Sequence, residues 1–452
     1  MNNYLEFLKT KLQQPRQEGF EGENLEQYPL FDWQHEITAW SCRKGQSSIF
    51  ADCGLGKSIM QLAWADQVVR KTNKPVLIIT PLAVSKQTER EGEKFGIQCK
   101  VVANQSDINK SGTFITNYEK LHHFDTKCFG GLVLDESSIL KSFSGKVRRM
   151  IQEFADPLKY RLACTATPAP NDFLEIGTHS EFVNDLTRSE MLAMFFVHDC
   201  KHTQEWRLKG HASELFWKWM ASWCVALRDP KDIGFVDDRF NLPELRVNRV
   251  VIDSKAPSNM FFALDAKTLN ERRQARRDSL TERVTESAKL VNNSKEQWLV
   301  WCNLNAESNA LAKAIPDSVE VSGSDSNEHK EKSMLAFSEG KIRCLVTKPT
   351  IAGHGMNWQN CHKMIFVGLS DSYEQYYQAF RRCWRFGQEF PVDIYIITAS
   401  AEGAVVDNIK RKERQAAEMF DSLVQHVNLY GLRHQLKTQY DANTNIILPE
   451  WL

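Results

Sequence analysis

The chain has 452 residues, too many for one ordinary core, so two or three domains are expected. Lys plus Arg equals Asp plus Glu at 57 each, so net charge gives no general attraction for a polyanion, and any such site must come from local clusters. The 11 cysteines are scattered without a C-x-x-C pair, no stretch reaches bilayer-spanning apolar length, and the N-terminal residues lack the apolar core of a secretory signal; together these point to reduced thiols, no membrane passage and a cytoplasmic setting.

Leu5, Leu8 and Leu12 share one helical face, which predicts a lead helix within residues 1–29. Further on, Ile49-Phe50-Ala51 suits a buried strand and Ser58-Ile59-Met60-Gln61-Leu62-Ala63 suits a helix. Between them, Ala51-Asp52-Cys53-Gly54-Leu55-Gly56-Lys57-Ser58 reads A-x-x-x-x-G-K-S, a phosphate-binding P-loop. Gly54 and Gly56 let the backbone curl so that its N–H groups face a phosphate, and the helix N-terminus adds positive potential. Lys57 is expected to bridge the β- and γ-phosphates, and the Ser58 hydroxyl to hold Mg²⁺.

The runs Val76-Leu77-Ile78-Ile79, Thr113-Phe114-Ile115-Thr116, Gly131-Leu132-Val133-Leu134 and Arg161-Leu162-Ala163-Cys164-Thr165 read as buried parallel strands. With the P-loop they predict a nucleotide-binding α/β lobe over residues 30–180. Asp135 and Glu136 follow the third of these runs. Two adjacent carboxylates after a buried strand and downstream of a P-loop read as a Mg²⁺ ligand, Asp135, and a base for the attacking water, Glu136. Thr165 and Thr167, in Thr165-Ala166-Thr167-Pro168, follow the next strand, where their hydroxyls can sense a γ-phosphate and couple two domains.

Residues 181–290 lose the strand signal and read as a mainly helical insert. Its Trp206, Trp217, Trp219 and Trp223 read as packing rather than base stacking. Arg272, Arg273, Arg276 and Arg277 form a stripe on a helix that either tracks a phosphate backbone or is a solvated face balanced by Glu271, Asp278 and Glu282. His198, Cys200 and His202 have the wrong spacing for a helical metal-binding pair and no partner pair.

Strand-like runs resume at Trp298-Leu299-Val300-Trp301, Cys344-Leu345-Val346-Thr347, Met364-Ile365-Phe366-Val367 and Val392-Asp393-Ile394-Tyr395-Ile396-Ile397, predicting a second α/β lobe over 291–430, followed by a tail at 431–452. Within it stands Gln378-Ala379-Phe380-Arg381-Arg382-Cys383-Trp384-Arg385-Phe386-Gly387-Gln388. Arg382 and Arg385 are three apart and share a helical face, as finger residues reaching a γ-phosphate across a cleft would.

Taken in order, these segments resemble the superfamily 2 helicases of the Swi/Snf-like branch, over roughly residues 30–180 and 295–400. Gln34, in Phe31-Asp32-Trp33-Gln34, matches the adenine-reading glutamine; Ala51–Ser58 matches motif I and Thr80-Pro81 motif Ia. Asp135-Glu136-Ser137-Ser138 with Lys141 resembles motif II, and Thr165–Pro168 with Asn171 resembles motif III. Gly353-His354-Gly355-Met356-Asn357-Trp358 resembles motif V, placing Gly355 at the nucleotide, and Gln378–Gln388 resembles motif VI, with Gln378 a coupling residue. Ser138 stands where the family commonly has His, and no accessory domain is recognisable, so the chain is most similar to compact bacterial or phage members acting in a bacterial or infected-host cytoplasm.

The resemblance implies two RecA-like parallel-sheet lobes, ATP and Mg²⁺ as cofactors, and DNA as partner, with Thr80, Asn117 and Asn357 as contacts and backbone phosphates dominating. It implies movement on duplex DNA, with single strands the alternative. RNA is disfavoured because motifs II and VI are not the D-E-A-D and H-R-x-G-R forms, and no protein partner is indicated. The rival readings are a strand-separating DNA helicase and a nucleotide-gated DNA-binding scaffold without turnover; intact Lys57, Glu136, Arg382 and Arg385 argue against the scaffold.

Overall fold

The computed structural model describes residues 19–82, 84–141, 145–169, 173–198, 206–252, 274, 276–353, 355–400 and 403–430. The leucines of the expected lead helix and the tail at 431–452 lie outside these residues, as do Asn171, Cys200, His202, Arg272, Arg273 and His354.

Two parallel sheets organise the chain, each covered by helices, which is the two-lobed RecA-like architecture expected. The first has seven strands: β1 (Gln46–Ala51), β2 (Val76–Thr80), β3 (Cys99–Val101), β4 (Thr113–Asn117), β5 (Gly131–Asp135), β6 (Tyr160–Thr165) and, after a short antiparallel hairpin of β7 (Phe196–His198) and β8 (Trp206–Leu208), β9 (Cys224–Leu227). Their order is β3-β4-β2-β5-β6-β1-β9. The second sheet contains β10 (Leu245–Ile252), β11 (Trp298–Cys302), β12 (Ser318–Glu320), β13 (Cys344–Thr347), β14 (Lys363–Val367) and β15 (Val392–Ala399), ordered β10-β15-β14-β11-β13-β12.

The central strands are buried throughout because helices lie on both faces, which is why they read as unbroken apolar runs rather than alternating ones. Successive residues serve opposite layers: in β1, Phe50 packs with Trp223 and Phe216 on one face, while Ile49 packs with Trp64 and Trp40 on the other. Register brings the functional ends together. Phe50 pairs with Thr165 and Asp135 with Cys164, so the P-loop, the paired carboxylates and the Thr165 turn all leave the sheet at its carboxyl edge. Ligands of parallel α/β sheets bind at that edge.

The segment expected as a mainly helical insert is divided between the lobes. Its helix Ser213–Trp223 buries Phe216, Trp217 and Trp223 in the first core, confirming the tryptophans as packing, and then delivers β9 to the edge beside β1. Further along, β10 pairs with β15 in the second sheet. The signal of β9 was hidden because Cys-Val-Ala-Leu is only four residues and follows a helix without a turn signature.

The last described helix, Gly403–Tyr430, belongs to both lobes. Val405, Val406 and Ile409 sit in the second core, whereas Met419, Phe420 and Leu423 sit in the first. Trp217 stacks on His426 at 4.9 Å, and Arg228, just after β9, pairs with Asp421, donates to the Ala417 carbonyl and lies 4.9 Å over the Phe420 ring. Among the described residues, no helix is long and apolar enough to cross a membrane.

Candidate active site

The P-loop runs from β1 into the helix Lys57–Thr72 with Gly54 and Gly56 at φ of 90° and 69°, a region open to glycine and strained for other residues. Space forbids a side chain as well: a Cβ on Gly56 would meet Gln34 Nε2 at 2.4 Å. Gln34 is locked against the loop. Its Nε2 donates to the Leu55 carbonyl at 3.0 Å and its Oε1 accepts from Phe31 N–H at 3.0 Å. The amide thus ties the segment before the first helix to the phosphate loop. Lys57 Nζ folds over the loop, donating to the carbonyls of Ala51 at 2.8 Å and Asp52 at 3.2 Å, and Ser58 is half-buried beside it.

Asp135 ends β5 almost fully buried, with Oδ1 accepting from Gln61 Nε2 at 2.8 Å. Burial, and then the neighbouring Glu136 charge, push its carboxyl up to about 7. Asp135 and the half-buried Ser58 hydroxyl are oxygen donors of the kind that could hold a divalent cation. Gln61 escaped the sequence reading; its signal was its place one helical turn after Lys57, on the same face.

Glu136 has a left-handed backbone, φ 50°, which turns its side chain out of the strand line. Its Oε2 is approached by Thr165 Oγ1 at 3.4 Å and, from the second lobe, by Gln378 Nε2 at 3.3 Å. Thr165 Oγ1 also accepts from Thr167 N–H at 3.1 Å. Of the expected coupling residues, Thr165 and Gln378 thus meet at the Glu136 carboxylate, and Thr167 joins them only through Thr165.

Motif VI packs directly on the P-loop. A Cβ on Gly54 would lie 3.0 Å from Phe386 N and 3.3 Å from Arg385 Cβ. Phe386 joins an aromatic seam with Phe240 at 4.6 Å and Phe31 at 6.1 Å, beside Gln34. Arg385 has its Nε buried without a hydrogen-bond partner among the described residues, and burial, then Arg382, pull its guanidinium down to about 10. Arg382 faces elsewhere: Nε donates to the Gln378 carbonyl at 3.0 Å and Nη1 to the Met356 carbonyl at 3.2 Å, binding motif VI to motif V, where Gly355 takes φ 89°. The guanidinium that crosses to the first lobe is Arg381, which pairs with Asp52.

The expected DNA contacts are dispersed. Thr80 is buried, its hydroxyl shared with Ser85 at 2.9 Å, and Asn117 is buried with Oδ1 accepting from Lys120 N–H at 3.1 Å. Asn357 is exposed. Of the arginine stripe, Arg276 turns inward to donate to the Leu369 carbonyl, and Arg277 faces solvent.

Residues 281–387 match the helicase conserved C-terminal domain. This stretch of the second lobe is similar to a helicase C-terminal domain. That helicase match covers the stretch from the helix Leu280–Asn292 through motif VI, so Gln378, Arg382 and Arg385 all lie inside it. Among solved structures, the Sulfolobus solfataricus SWI2/SNF2 ATPase core, determined with double-stranded DNA, is similar at 18% identity and a TM-score of 0.41, over 86% of this chain and 90% of that one. No curated protein matches in sequence.

Behind the Thr165–Pro168 turn lies a pH-sensitive support. His179 is fully buried, one ring nitrogen bonded to the Pro168 carbonyl at 2.9 Å and the other unpartnered, and burial lowers its pKa to about 4. The unfolded chain takes up this proton near 6.5 while the folded chain refuses it until about 4. Stability is therefore lost as pH falls from 6.5 to 4, by up to roughly 3 kcal/mol. In urea unfolding at a series of pH values, His179→Gln should flatten this part of the acid limb relative to wild type; identical slopes would show that His179 already carries a proton in the fold.

Proposed function

We propose that this chain is a nucleic-acid-dependent ATPase motor that uses ATP and Mg²⁺ to translocate on or remodel DNA. The observation that carries this reading is the composite site: a P-loop and paired carboxylates on the first lobe, faced from the second by Gln378 and by Arg385, whose Nε has no hydrogen-bond partner among the described residues. A kinase or simple binding module has no need of a second lobe reaching the water-activating carboxylate. A motor does, because lobe movement must alter the chemistry.

In this reading the P-loop N–H groups and Lys57 hold the phosphates, Lys57 leaving its loop carbonyls to do so. Gln34 reads the adenine edge. Mg²⁺, held by Ser58 and Asp135, would neutralise phosphate charge. Glu136 orients the attacking water and accepts its proton, with Thr165 and Gln378 fixing the carboxylate. Arg385, half-buried beside the P-loop, meets the charge developing on the γ-phosphate. Arg382 holds motif V to motif VI, so that a shift at the nucleotide moves Gly355 and the exposed Asn357 with it.

The resemblance to the Swi/Snf-like branch, and that alone, favours movement along duplex DNA over strand separation. ATP hydrolysis without nucleic acid, and with single-stranded DNA, duplex DNA or RNA, tests the reading in wild type and Lys57→Ala. Stimulation by duplex DNA of about tenfold or more, lost in Lys57→Ala, is expected. Stimulation by single strands alone would favour the strand-separating helicase, and no turnover under any condition would leave the DNA-binding scaffold.

A further inference from the structure

Position 381 lies between two motif VI residues with expected roles, Gln378 and Arg382, yet its side chain does something neither does. Arg381 is 2% exposed and Asp52, inside the P-loop, is 8% exposed. Arg381 Nη2 lies 2.9 Å from Asp52 Oδ2 and also donates to the Cys53 carbonyl. Tyr377, one helical turn earlier, donates its hydroxyl to Asp52 Oδ1, the oxygen that also accepts from Cys53 N–H at 2.6 Å. The Asp52 carboxylate thus gathers donors from both lobes. The guanidinium is held in plane between rings, 4.8 Å from Trp384 and 5.8 Å from Tyr377. Ring contacts and a fixed fork of donors make this a site where Lys cannot fully replace Arg.

We propose that Arg381 is a positioning residue: its buried pair with Asp52 sets the register of motif VI against the P-loop and so holds Arg385 at the loop's mouth. The inference rests on the reading of this cleft as the nucleotide site. The geometry supports it from both sides. Arg382 gives its Nε and Nη1 to the carbonyls of Gln378 and Met356, both within the second lobe. Arg385 packs close to Gly54 of the P-loop while its Nε makes no hydrogen bond among the described residues, which fixes distance rather than direction. Arg381 supplies the directional bond, because it anchors to the same four-residue stretch, Asp52 to Leu55, that Gly54 belongs to.

The test is a double-mutant cycle with Arg381→Met, Asp52→Asn and the pair, plus Arg381→Lys. Two readouts are taken. The first is hydrogen–deuterium exchange of nucleotide-free protein over residues 46–58 and 373–388. Asp52→Asn should raise exchange in 373–388, and Arg381→Met in 46–58, each across the cleft, while β11 stays protected as the folding control. The second is steady-state ATP hydrolysis with saturating DNA. Each single variant should lose about ten- to hundredfold in kcat with KM for ATP within about threefold, since misplacement rather than binding is at fault. The double variant should be no worse than the poorer single, and Arg381→Lys should recover part of kcat. Exchange changes confined to the mutated lobe, or kinetic losses that multiply in the double variant, would overturn the proposal. If wild type fails to hydrolyse ATP, the motor reading falls, and the cross-cleft exchange alone decides for or against the pairing.

Discussion

Glu136→Gln should cut DNA-stimulated ATP turnover by roughly 10²–10⁴-fold while leaving ATP binding nearly unchanged. The amide keeps the side chain's shape, and its oxygen still accepts from Gln378 Nε2, now 3.3 Å away, so the lobes keep their approach. What disappears is the ability to take a proton from water. Binding is spared because the positions proposed for phosphate and metal, Lys57, Ser58 and Asp135, make no side-chain hydrogen bond to the Glu136 side chain among the described residues. Steady-state hydrolysis paired with titration of a fluorescent ATP analogue separates the two effects. Turnover within tenfold of wild type would place the base elsewhere. Weakened binding with normal turnover per bound ATP would make Glu136 a structural residue of the loop.

Glu307→Ala should be the most destabilising single change in the second lobe, at about 3–5 kcal/mol. Glu307 and Arg283 are both fully buried and meet at 2.6 Å. The acid's other oxygen accepts from the N–H groups of Asn303 and Leu304, each at 2.9 Å, closing the first turn of the helix Asn305–Ala314. Arg283 in turn donates to the Val367 carbonyl at 3.0 Å and to Ser279 Oγ at 3.1 Å, bracing the end of β14 just before the Gly368 turn. Removing the carboxylate strands a cation in a dry interior. For a lobe of this size the loss corresponds to a fall in Tm of about 10 °C. Arg283→Met combined with Glu307→Leu should recover much of it, because an apolar pair of similar volume removes the unpaired charge. A double variant as unstable as Glu307→Ala would mean that the lost hydrogen bonds to Asn303, Leu304 and Val367, not the buried charge, carry the cost.

The parts of this molecule legible in its sequence are those whose chemistry is written in consecutive residues. The P-loop glycines, the Asp135–Glu136 pair after an apolar run and the two-lobe pattern of buried strands all depend on local spacing, and the structure places them as that spacing requires. The pairings made at long range were silent. Nothing near Arg381 signals Asp52, more than three hundred residues away, and nothing near β9 signals β1. Thr80 and Asn117 have a local task that their residue types did not announce: each sits at the end of a strand and bonds the turn that follows it. Arg382 illustrates a third case, in which a residue that fits a finger also bonds the carbonyls of Gln378 and Met356, contacts that no local spacing signals.

The chain passes between the lobes twice, once in the segment from Leu227 to Leu245 and again along the helix Gly403–Tyr430, and Arg228 fastens the two passages together through Asp421 and the Ala417 carbonyl. Two bodies joined at two neighbouring points lose most of their freedom to slide or tumble against each other and retain chiefly a swing about the line through those points. In the proposed motor the cleft between the lobes would open and shut like a book along a sewn spine, every stroke following the same arc.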